Sequence, residues 1–129
     1  MPALEQLSAT RIVATPAALD AAAWPQGALV LRTAPDEALV TPVVGQDLIL
    51  PHDPHAIVAR ETGFAAAWVA ADEALEFLER SCEWELPFER PAFAQGAVAG
   101  LPLKLWLERD RVLFIVPAPF AADLEERMV

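Results

Sequence analysis

Asparagine and tyrosine are absent from this 129-residue chain, cysteine and lysine occur once each, and histidine and serine twice each. Each shortage removes a class of function. Cys82 alone forms neither an intramolecular disulfide nor a cysteine-based zinc cage. With Lys104 the sole lysine and 9 basic residues against 19 acidic ones, the formal charge is −10, the wrong sign for a phosphate backbone or an anionic membrane. No apolar run approaches the ~20 residues of a membrane-spanning helix. The opening residues, MPALEQLSAT, lack the basic start and apolar run of a signal peptide. A soluble, cytoplasmic protein is the expectation. The missing Asn and Tyr and the abundant Ala look like the imprint of GC-rich bacterial coding.

What is present is 55% hydrophobic, enough for one domain with a proper core. Residues 1–27 are rich in Ala and Pro and read as an irregular N-terminal segment with one turn of helix near 17–22. From residue 28 onward, short apolar runs alternate with turn residues, and strands are expected at 28–32, 38–41, 47–50, 56–59 and 63–70. Residues 72–82 read as an amphipathic helix, with Ala74, Leu75, Leu78 and Cys82 on its apolar stripe. Pro87 and Pro91 make 83–94 a loop. Strands follow at 95–99, 103–108 and 112–116; the last is apolar throughout, as suits a central strand covered on both faces. Pro119 opens a closing helix in which Phe120, Leu124 and Met128 recur every four residues. Residues 28–129 are thus expected to form a single α+β domain: a largely antiparallel sheet with two main helices packed on one face.

Chemistry-bearing residues are few. In "PHDPHAIV", His52, Asp53 and His55 offer imidazole and carboxylate donors suited to zinc or a related ion. The competing reading is a solvated turn into a strand, because Pro51 and Pro54 hold the segment extended and no third histidine or nearby cysteine completes a set. Neither Ser8 nor Ser81 lies in a Gly-x-Ser-x-Gly turn. Gln95–Gly100 lacks both the Lys-Ser/Thr of a phosphate loop and the third glycine of a dinucleotide fingerprint, so its two glycines are read as permitting a bend or a close backbone approach. Trp68, Trp84, Phe88 and Trp106 are the candidate ligand or partner contacts, since aromatics that do not all enter a small core often anchor interfaces or line pockets; core packing is the competing reading for each one singly.

Three passages carry a family likeness. "LRTAPDEALV" (31–40), "ADEALEFLERSCEWEL" (71–86) and "AQGAVAGLPLKLWLERDRVLFIVPAPFAADLEERM" (94–128) resemble the strand–turn–strand, helix, and strand–strand–strand–helix passages of the sarcosine oxidase gamma subunit. More distantly they are similar to the folate-binding domain of the glycine cleavage T-protein. The resemblance implies an α+β module built around a ferredoxin-like sheet and, as in the gamma subunit, a non-catalytic role inside a flavin- and folate-using complex; the expectation is an accessory domain in contact with another copy or with a larger protein subunit. It also implies an alternative, a folate or pterin held among the tryptophans. Glu61-Thr62-Gly63-Phe64 and Gly100-Leu101-Pro102 depart from the folate-handling relatives, and no functional residue is carried over.

Overall fold

The computed structural model describes residues 3–129. They form an α+β structure of nine strands in two antiparallel sheets with three α-helices. The chain divides into two compact units, residues 7–62 and residues 63–129, the second including the short stretch before residue 7.

In the first unit, strand β2 (Ala9–Val13) is followed by helix α1 (Pro16–Ala21), then strands β3 (Leu29–Ala34), β4 (Glu37–Thr41) and β5 (Ile57–Glu61). The sheet order is β3-β4-β2-β5, so β2 lies between β4 and β5. Residues 1–27 are therefore not an irregular segment beside a domain that starts at 28: Ile12 is fully buried, and with Ala18 and Leu19 of α1 it packs on Ala38, Val40 and Ile49. The helical turn expected near 17–22 is present as α1, and its N-terminus is capped. Thr15 Oγ1 accepts from Ala18 N–H at 3.2 Å, and Pro16 sits at the first helical position, where its missing N–H costs nothing. Residues 47–50, expected as a strand, instead form a 3-10 turn at Gln46–Leu48 whose outcome is to bury Ile49. Ile49 and Leu50 N–H both return to Gln46 C=O, so these amides close a local turn.

In the second unit, β1 (Glu5–Gln6), β6 (Phe64–Ala70), β7 (Ala92–Val98), β8 (Leu101–Leu107) and β9 (Arg111–Pro117) form a sheet in the order β1-β6-β9-β8-β7. Period-two alternation sends Val69, Leu103, Leu105, Leu107, Val112, Phe114 and Val116 to one face. Helix α2 (Ala71–Ser81) and helix α3 (Ala121–Arg127) pack there through Ala74, Phe77, Leu78 and Leu124. Both expected main helices thus lie on one face. Strand β9 is central and buried from Val112 to Val116 on alternating sides, as its unbroken apolar run requires.

The α2 stripe differs in one respect from the periodicity reading. Phe77 is buried at 2% exposure and meets Phe114 at a centroid distance of 6.0 Å, whereas Leu75 is 40% exposed. Ala74, Phe77 and Leu78 are the i, i+3, i+4 set that faces the sheet.

Candidate functional site

The tryptophans singled out in the sequence fall into two groups on opposite faces of the five-stranded sheet. Trp68 and Trp106 belong to one row, because both are register partners of Leu113, on β6 and β8 respectively. Both are half-buried. The β8–β9 turn supplies what holds them: Trp106 Nε1 donates to Glu108 Oε2 at 2.9 Å, and Arg111 Nε donates to Glu108 Oε1 at 2.9 Å. Arg111 in turn lies 3.6 Å above the centroid of the Trp68 ring, a cation–π contact. The Arg111 hydrogen bond, with the Trp106 bond and the guanidinium charge behind it, holds the Glu108 carboxyl below the ordinary glutamate range against the opposing effect of partial burial. The set is a closed clamp around a turn; each polar group in it already has a partner.

Trp84 is on the helix-covered side. Its ring lies against Gly96 of β7 so closely that a Cβ on that glycine would come within 2.8 Å of it. Its Nε1 donates to Ala97 C=O at 2.8 Å. Ala97 faces Pro102 across the β7–β8 ladder, and β7 is the last strand of the sheet. The indole therefore occupies a carbonyl of the edge strand, a device that blunts an edge against pairing. The two glycines here were expected to permit a bend or a close backbone approach: the close approach is at Gly96, and the bend is at the turn, where Ala99 (φ 52°) and Gly100 (φ 78°) make a two-residue hairpin with both central residues left-handed.

Phe88 stands apart. It is 96% exposed, at the tip of the loop 82–91 that joins α2 to β7. That loop is built rather than loose. Ser81 C=O accepts from Ala99 N–H at 3.0 Å, fixing the helix end to the hairpin. Cys82 Sγ donates to Trp84 C=O at 3.2 Å, and Trp84 and Leu86 pack on the core. Arg90 Nη1 donates to Pro87 C=O at 2.7 Å and to Glu89 C=O at 2.8 Å, drawing the chain on either side of Phe88 around one guanidinium. Leu75, Leu78, Glu79, Cys82, Trp84 and Leu86 line a groove of about 320 Å³ between α2 and the start of this loop.

His52, Asp53 and His55 serve the turn reading. Asp53 Oδ2 accepts from Thr15 N–H at 3.0 Å and Oδ1 from His55 N–H at 2.9 Å, so its carboxylate organises the backbone ahead of β5 and beside α1. Among the described residues no group of three His, Cys, Asp or Glu side chains converges as a metal site.

Of the residues around this loop and groove, the sequence reading singles out Trp84 and Phe88; it places Leu75 on the core stripe, and Arg90 carries no signal beyond lying between prolines. Comparison with protein-family models and with curated proteins yields no match. Among the described residues no helix is long and apolar enough to cross a membrane.

Proposed function

We propose that this chain is a non-catalytic accessory or protein-interaction domain, of the kind implied by its resemblance to the sarcosine oxidase gamma subunit, and that it docks through the loop 82–91. The observation that carries the reading is the preorganised, fully exposed ring of Phe88. Keeping a phenyl group in water forgoes roughly 1.5–3 kcal/mol of burial. The Arg90 bonds hold the tip in shape before any partner arrives, which lowers the ordering cost of binding. Aromatic side chains presented in this way are the common anchors of protein interfaces. The partner is another copy of the chain or a larger subunit, met in the cytoplasm where the one thiol stays reduced. The folate or pterin alternative draws less support, because Trp84 lies across the sheet from Trp68 and Trp106 and each indole N–H named above is already engaged.

The test is site-specific photocross-linking in the producing cell, with a benzoylphenylalanine at position 88 and, as control, at exposed Asp47. A discrete adduct from position 88 alone is expected. Equal labelling at both positions, or none at 88, removes the reading.

A further inference from the structure

We infer that the partner segment received beside this loop is a basic amphipathic helix, an inference that rests on the docking reading above and names the chemistry of the partner. The acceptor is the groove lined by Leu75, Leu78, Glu79, Cys82, Trp84 and Leu86. Three features select the occupant. First, the groove is apolar at its floor and runs along α2, with Leu75 left 40% exposed on its wall. Leu75, Leu78, Glu79 and Cys82 follow the i, i+3, i+4, i+7 rows into which the ridge of another helix packs.

Second, an added strand is disfavoured at the neighbouring edge, because the Trp84 indole holds the Ala97 carbonyl that β-pairing there would use. Third, the surroundings are acidic. Residues 72–89 hold seven carboxylates and a single cation, Arg80. Glu79, Glu83, Glu85 and Glu89 are exposed around the groove and loop. Arg80 lies over the Phe77 ring, 5.4 Å from its centroid, and lines a different hollow with Glu73, Glu76 and Arg127. Arg90 is spent on the loop carbonyls. A second copy of this chain would bring a like-charged surface to the same place. An apolar-faced helix with lysine or arginine flanks instead meets complementary charge, and Phe88, two residues beyond Leu86, adds an apolar contact at the rim.

The test uses a fluorescein-labelled leucine–lysine amphipathic peptide of about 18 residues, with leucine–glutamate and sequence-scrambled versions as controls. Fluorescence anisotropy should show saturable binding of the leucine–lysine peptide alone, weakened by about tenfold on raising NaCl from about 50 to about 500 mM. Leu75→Gln and the double change Glu83→Lys/Glu85→Lys, all at exposed positions and so compatible with folding, should each cost about tenfold in affinity. The double change Asp36→Lys/Asp47→Lys, the same change of net charge made at exposed positions of the other compact unit, should cost less than twofold. An equal loss in that variant would mean diffuse charge attraction and overturn the inference. So would equal binding of the leucine–glutamate peptide, or a two-chain species in sedimentation equilibrium that Leu75→Gln dissociates. A cross-link from position 88 without peptide binding keeps the docking reading and overturns the basic helix. Peptide binding that depends on Leu75, without that cross-link, keeps the groove and removes Phe88 as its anchor.

Discussion

Glu108 uses one carboxylate to hold Trp106 and Arg111, and Arg111 then covers Trp68, so four residues act as a unit. The consequence for stability has a definite sign. A folded-state titration below the unfolded one means that the contribution is fully present above the unfolded glutamate value of about 4.3 and is lost as pH falls through the lower folded value. Glu108 and Arg111 keep 25% and 48% of their side-chain surface exposed, so the effect is of the size of screened surface pairs, about 0.2–1 kcal/mol. Glu108→Gln should therefore lower the melting temperature at neutral pH, and its difference from wild type should narrow below about pH 4 in melts taken at stepped pH. A difference that stays constant with pH would show that the carboxylate charge has no part in the clamp. Glycine at 96 belongs to the same scale: the sequence offered close approach as a reason for it, and Trp84 is what approaches.

At the scale of elements, the strands and helices of residues 63–129 were nearly all legible, because alternation of apolar residues in β8 and the unbroken run in β9 translate directly into burial. Helix α2 shows where periodicity stops. Its stripe is wide enough to admit either Leu75 or Phe77, and the choice depends on Phe114, which lies 37 residues further along the chain and which the Phe77 ring meets. Phe77→Ala should cost about 3–5 kcal/mol in urea unfolding, as expected for emptying a buried aromatic site. Leu75→Ala should stay within about 0.5 kcal/mol. Comparable losses at both positions would mean that Leu75 is part of the packed core after all. The loop 82–91 was recognisable as a loop from its prolines, but its rigidity was not, since it comes from Arg90 bonding to backbone carbonyls, and any residue type supplies those.

For the molecule as a whole, the main departure from the sequence reading is the N-terminal part. Ala-rich and Pro-punctuated, it has the local composition of irregular chain, yet β2 is an inner strand with ladders to β4 on one side and β5 on the other. Only pairing with residues about 25 to 50 positions away makes it a strand, and such pairing leaves no local mark. A chain starting at residue 28 loses β2 and α1 and exposes the facing edges of β4 and β5. It should lose the dispersed amide signals of residues 29–61 in a heteronuclear NMR spectrum and run as aggregate on gel filtration. A monodisperse, well-dispersed fragment would show that the segment is dispensable.

Sequence alone was sufficient for the α+β class, the acidic composition and the helices on one face of the second sheet, because each follows from composition or from a short-range period. Tertiary structure decided the place of β2, the choice of Phe77 over Leu75, the use of Trp84 as a cap on an edge carbonyl and the use of Asp53 as an acceptor for the Thr15 N–H. In each of these the deciding partner is distant in sequence or is a backbone group common to every residue, and neither leaves a signature in the order of side chains.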